Sequence, residues 1–280
     1  MTQPSLELRD VRGPSALGGG WRRSLDLLYL IAVTEFRRSY LGTALGYLWS
    51  LARPLLLFGV LLVVFTEAFD LGTRVKQYPV LLLFNIVLFG FFQEATTQAL
   101  PSIVTQEGIV RKTQFPRLVI PTAVVLTSAF NMTANLAVVV VFMLASGVDP
   151  MWTWLLFPLI FAALLVFTTA VAALVSALYP RFRDVGIIWT VTATGLFYAT
   201  PVLYPIEIIS GRLRELLALN PLFPIFELAR KWIIDPTAPS PAEAAGGGLR
   251  LLVPAAIFLA VCMVAAWTFK REAPRIAEEL

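Results

Sequence analysis

The chain of 280 residues contains no histidine and a single cysteine, Cys262. The first absence removes histidine-based triads, histidine-ligated zinc and histidine general bases. The second excludes an internal disulfide. Charge is scarce as well. Charged residues make up 14% of the chain, against about 25% in an ordinary soluble domain. No G-x-x-x-x-G-K-[ST] pattern occurs, and the glycines at 18–20 run into Trp21, Arg22 and Arg23 instead of the lysine and hydroxyl that a phosphate loop needs. The chain therefore does not bind and split ATP by that mechanism. G-x-S-x-G, Cys/His metal spacings and paired intramembrane carboxylates are missing too. No catalytic residue, metal or cofactor is expected on this chain, and no nucleic-acid partner.

What is present is apolar. Hydrophobic residues make up 58% of the chain, above the 45–50% or so of soluble domains, so the expected class is an all-α polytopic membrane protein. A membrane helix needs about 20 mostly apolar residues. Six runs approach that length: 54–69, 79–100, 119–146, 152–179, 185–204 and 251–269. With the N-terminus inside, the cytoplasmic segments hold 15 Lys and Arg and the external segments 7. This bias predicts a plasma-membrane protein with both termini cytoplasmic.

Residues 1–23 carry Glu7, Asp10 and the glycine stretch with no apolar core, so they read as a flexible tail and not as a signal peptide. Residues 24–50 read as an amphipathic helix, with Ser24 as a possible cap. Its apolar run, 27–33, is too short to span and is flanked by Asp26, Glu35, Arg37 and Arg38. It fits the membrane surface with its arginines near lipid phosphates; the alternative is a helix packed on the bundle. Residues 51–280 form the six-span domain. The external segment 205–231 is too apolar for a solvated loop and is broken by Pro205, Gly211, Pro221 and Pro224. Two short helices dipping into the outer leaflet would fit. Irregular backbone at that depth is tolerated only inside protein or along a cavity, so this segment is a candidate cap of a pathway.

Several residues stand out as candidates for a site. Glu94 falls inside the second run, beside Gln93, Thr96, Thr97 and Gln98. It is either functional or already close to the interface. In the fifth run, Thr190 and Thr194 share one helical face and lie among Phe197, Tyr198 and Tyr204. Hydroxyls with aromatic faces suit a sugar, and small hydroxyl residues also serve plain helix packing. Asn131 and Asn135, four apart in the third run, are placed to cross-link helices. The basic loops at 107–117 and 180–184 serve as positive anchors or as docking points for a soluble partner.

These loops carry a resemblance. The stretch 40–56 with Trp49, Arg53 and Pro54, the stretch Glu107, Arg111, Lys112, Phe115, Pro116 and Arg117, the pair Arg181-Phe-Arg183-Asp184 and Pro201-Val-Leu-Tyr204-Pro205, and Asn220-Pro221 with Arg230 downstream resemble, in order and spacing, the permease subunit of type-2 polysaccharide ABC exporters. The resemblance covers nearly all of the chain after about residue 24. Ser39 departs from it, where another basic residue would be expected.

The resemblance implies a homodimer with a channel between the copies, lined by the first and fifth spans, and so favours the sugar-facing reading of Thr190, Thr194, Phe197, Tyr198 and Tyr204. It implies two copies of a separate ABC ATPase subunit that bind ATP and Mg and couple through the interfacial helix and the 107–117 loop. It makes 205–231, with Pro205, Asn220, Pro221 and Arg230, the external gate. It also implies a polyprenyl-pyrophosphate-linked glycan as cargo, whose head group Arg37 and Arg38 are placed to pair. O-antigen, teichoic acid, capsule and cell-wall galactan all fit. The rival readings are a lipid-linked glycosyltransferase, which would gather acidic residues that Glu207, Glu215, Glu227 and Asp235 do not visibly gather, and the permease of a drug or lipid exporter.

Overall fold

The computed structural model describes residues 28, 29, 32, 34, 48–106 and 117–272. All regular structure among them is helical. Five helices are long and apolar enough to cross a membrane: α1 (Leu48–Glu67), α3 (Tyr78–Ala99), α5 (Val119–Ala145), α6 (Phe157–Leu178, extended at its start by the 3-10 turn Trp152–Leu156) and α11 (Leu252–Glu272, preceded by the 3-10 turn Gly248–Leu251). The short helices α2 (Leu71–Arg74) and α4 (Ser102–Thr105) flank α3. The protein is thus a multi-pass membrane protein.

The expected fifth span is shorter than its hydrophobic run. α7 covers Val185–Ala199, 15 residues, or about 22 Å of helix, against the ~30 Å of a hydrocarbon core. It ends because Thr200 precedes Pro201 and takes an extended conformation, φ −93° and ψ 145°; the proline ring disfavours α geometry in the residue before it. From there the chain runs through the 3-10 turn Ile206–Ile208 into α8 (Gly211–Leu217) and α9 (Phe223–Ala229), the π turn Arg230–Ile234 and α10 (Pro241–Ala244). Two short helices, α8 and α9, thus lie in this segment.

α3 is the axis of the bundle. It packs against α1, α5, α6 and α7, and Tyr78, Leu82, Phe84, Phe89 and Phe92 are all fully buried. A helix apolar on every side belongs at the centre of a bundle. Aromatic contacts tie it outward: Phe92 stacks on Phe167 of α6 and meets Trp189 of α7 edge-on, and Phe89 meets Phe197 of α7 edge-on at 5.2 Å. At the other extreme, α1 has no buried residue. Its Leu56, Val60 and Val63 are exposed, as are Ile187, Ile188 and Val191 of α7.

The ends of the bundle are chemically distinct. One end carries Arg53, Arg117, Arg181, Arg183, Lys270 and Arg271, and is the end to which the sequence reading assigns 13 of the 18 arginines. There Arg181 pairs with Glu272 at 3.6 Å, which ties the 180–184 turn to the end of α11. The other end carries the segment after α7. α5 stops there in a Schellman arrangement: Gly147 (φ 77°) donates to Leu144, and Val148 donates to Met143 at 3.0 Å. A capping box between Ser240 and Glu243 starts α10.

Most of the expected interfacial helix, including Arg37 and Arg38, lies outside the described residues. Ala32 is helical and fully buried, and its carbonyl accepts from the Thr127 hydroxyl of α5 at 3.2 Å. At that point the segment is packed on the bundle.

Candidate functional site

The site grows from the polar part of α3. Glu94 is half-buried. Its Oε1 accepts from Asn131 Nδ2 of α5 at 2.9 Å and from Gln98 Nε2, one turn along α3, at 3.2 Å. A carboxylate accepting two amide N–H groups keeps a fixed orientation, and its charge is partly compensated. The cross-link expected of the asparagine pair is therefore made by Asn131. Asn135 instead donates to the Asn131 carbonyl of its own helix at 2.9 Å.

Around Glu94 lies a cavity of about 590 Å³, a size typical of pockets for small organic ligands, about 300–1,000 Å³. Its walls come from four helices. α1 contributes Trp49, Arg53 and Leu57; α3 contributes Phe89, Gln93, Glu94 and Thr97; α5 contributes Ser128, Asn131 and Asn135; α7 contributes Thr190 and Phe197. α1 and α3 lend the half nearer the arginine-rich end, α5 its middle turns, and α7 the stretch from Thr190 to Phe197 near its far end. Amides, hydroxyls and one charge of each sign share the surface with aromatic rings. Such a mixture hydrogen-bonds polyhydroxylated ligands and stacks against their C–H faces.

The channel residues expected from the sequence divide between this cavity and its surroundings. Glu94, Thr190 and Phe197 come together in it. Thr194 and Tyr198 are exposed on α7, outside its lining. The hydroxyls of Thr190 and Thr194 donate to the carbonyls one turn back, at 2.9 Å each, which satisfies them within the helix. Tyr204 donates to the Tyr198 carbonyl at 2.5 Å and so folds back over the end of α7. Trp49 and Arg53 went unremarked as site residues, since an arginine at the start of a span reads as an ordinary anchor.

The second polar cluster holds the broken segment after α7. Where the helix stops, its carbonyls lose their partners, and the structure supplies donors from elsewhere. Asn220 Nδ2 reaches the Ala199 carbonyl at 3.2 Å and the Thr200 hydroxyl at 2.8 Å, while Asn220 Oδ1 accepts from the Leu222 amide. Asn85 Nδ2 reaches the Pro201 carbonyl at 3.0 Å, and the Tyr78 hydroxyl reaches that of Leu203 at 2.9 Å. Asn85 and Tyr78 belong to the core helix α3. They were invisible in the sequence because a lone asparagine or tyrosine in an apolar run carries no periodic signal.

Of the expected gate residues, Asn220 is thus the pivot of the break, and Pro205 is buried. Arg230 Nη1 binds both oxygens of Glu207, at 2.9 and 2.8 Å, and lies 3.6 Å from Glu227. Two of the external carboxylates that looked scattered are therefore gathered on one arginine. Glu227 is 1% exposed. Burial pushes its carboxyl up to about 7, against the opposing pull of Arg230. Nearby, Asp235 lies below the ordinary carboxylate range: burial would raise it, but the Thr237 hydroxyl (2.6 Å) and amide (3.1 Å), with Lys76 at 3.6 Å, outweigh that. Trp154 Nε1 donates to the Ile233 carbonyl, and the Thr153 hydroxyl to that of Trp232, which fasten the π turn to the start of α6.

Glu107, Arg111, Lys112, Phe115 and Pro116 lie outside the described residues. Arg117 is half-buried just before α5, at the arginine-rich end.

Among the described residues the protein is an all-helical multi-pass bundle with a polar cavity among four helices and a broken, side-chain-capped segment after α7. The chain belongs to the ABC-2 type transporter family, whose profile matches residues 26–234. It is 31% identical to an O-antigen export system permease protein RfbA of Klebsiella pneumoniae over 198 residues, covering 70% of this chain and 76% of that one. It is 30% identical to the protein of the same name from Myxococcus xanthus, over 70% and 75% of the two chains. The resemblance to type-2 polysaccharide exporter permeases is therefore shown.

Proposed function

We propose that this chain is the membrane-spanning subunit of an ATP-driven exporter that carries a polyprenyl-pyrophosphate-linked polysaccharide out across the cytoplasmic membrane. The observation that carries the reading is the cavity in which Glu94, Asn131, Thr190 and Phe197 meet, in a chain related to O-antigen export permeases. Weak contacts at many points allow a polymer to enter and still keep moving.

Both termini are placed in the cytoplasm, on the argument that the arginine-rich end of the bundle faces inward. A second copy of the chain would cover the exposed apolar faces of α1 and α7, and the cargo would pass between the copies, along Thr194, Tyr198 and Tyr204. Two ABC ATPase subunits, carrying ATP and Mg, would engage the inward end through the 107–117 loop and the 180–184 turn. The pyrophosphate would be met near Arg37 and Arg38, and the segment 205–231 would act as the external gate.

Depletion of the protein tests this reading. The expected result is accumulation of one lipid-linked glycan on the inner leaflet, which also names the cargo among O-antigen, teichoic acid, capsule and galactan. Unchanged lipid-linked pools would reject it.

A further inference from the structure

The cavity has a property that export in general does not require. Among the described residues its lining contains one carboxylate, Glu94, and one guanidinium, Arg53. Both amide donors that hold Glu94 are spent on Oε1. Oε2 has no protein donor among the described residues and is not sealed from the cavity. Ser128 also belongs to the lining, and its hydroxyl is buried without a partner in the structure. Phe197, held edge-on by Phe89, and Trp49 add aromatic surface.

We infer that this cavity is a binding site for an uncharged pyranose-type sugar unit of the cargo, with the Glu94 carboxylate accepting the sugar's hydroxyl hydrogens. A fixed carboxylate with a vacant oxygen accepts strong charge-assisted hydrogen bonds from hydroxyl donors. The same carboxylate repels phosphate. The site therefore selects the glycan portion of the cargo and leaves the phosphate end elsewhere. Glu94 is the residue that contacts the sugar; Asn131 and Gln98 position it. This inference rests on the exporter reading and adds which part of the cargo is held and by what.

The test uses the full chain in living cells, with the photo-crosslinker p-benzoylphenylalanine placed at Leu57, an exposed residue of the cavity wall. A second strain carries it at Tyr198, outside the cavity. After irradiation, denaturing purification is followed by periodate–hydrazide detection of sugar and by phosphate analysis of the adduct. The Leu57 adduct is expected to carry sugar. Glu94→Ala should lower it about tenfold or more, the loss of one charge-assisted hydrogen bond. Glu94→Gln keeps the shape and one acceptor oxygen, so it should lower the adduct less, and it serves where the alanine variant fails to fold. Sugar on the Tyr198 adduct but none on that of Leu57 would overturn the inference and leave the exporter reading standing. So would an adduct that survives both substitutions of Glu94, or one that carries phosphate without sugar. No sugar at either position, together with unchanged lipid-linked pools on depletion, would instead reject the exporter reading itself.

Discussion

Asn85 shows how one side chain sets the course of a segment far away in sequence. Its amide supplies a donor to the Pro201 carbonyl in a place where water cannot. Asn85→Ala leaves that carbonyl, and the weaker contact at Val202, without a donor. The expected cost is about 1–3 kcal/mol, read as a lowered midpoint of thermal unfolding in detergent or nanodiscs. Glu227 makes a second prediction at this scale. Its folded-state value of about 7 lies above the ordinary 4.5, so the folded protein keeps a proton that the unfolded chain releases between those values. Its contribution to stability is fully present below pH 4.5 and is lost as the pH rises through about 7. The total is on the order of 3 kcal/mol. Glu227→Gln should flatten that part of the stability profile, and denaturant titrations from pH 4.5 to 8 would show whether it does. Little of this was legible beforehand. The sequence marked Glu94 through its polar neighbours, but nothing local marked Asn85, or Arg230 as the partner of two carboxylates.

Elements behave as their local chemistry predicts until tertiary contacts intervene. Four of the five long helices follow the hydrophobic runs closely, because about 20 apolar residues form a helix in lipid whatever surrounds them; α1 begins six residues before its run and carries Pro54 inside it. The fifth run is the exception. It contains Pro201 and is followed by Pro205, so its helix stops at Ala199, and the apolar residues beyond continue as a buried irregular segment. That segment is fastened at three places: to α3 by Asn85 and Tyr78, to Asn220, and to α9 by the Glu207–Arg230–Glu227 cluster. Arg230→Ala removes the last of these. The amides of Ile208 and Ile209, which close the 3-10 turn, should then exchange about tenfold faster, as expected for losing roughly one hydrogen bond's worth of local stability. Unchanged protection of both amides would mean that the arginine does not hold the turn.

At the scale of the molecule, the sequence assigns 15 of the 22 Lys and Arg to segments at one end of the bundle, and the broken segment lies at the other. If the arginine-rich end faces the cytoplasm, then in a Cys262→Ser background Phe182→Cys should react with a membrane-impermeant maleimide only after permeabilisation. Arg212→Cys, on exposed α8, should react in intact cells once any outer barrier is opened. The reverse pattern would invert the topology. The cavity also belongs to this scale, since four helices contribute its walls and none of them forms it alone.

The amino-acid sequence by itself determined the membrane class, the positions of the helices, the missing phosphate loop and the charge bias between the two ends. These are properties of composition and of short windows, and local physics decides them. The tertiary structure decided which polar side chains meet. Glu94 and Asn131 are 37 positions apart, and Asn85 and Pro201 are 116 apart. Such pairs form because rigid apolar helices pack in one arrangement and buried donors and acceptors must then find each other. Periodicity along the chain holds no record of those distances.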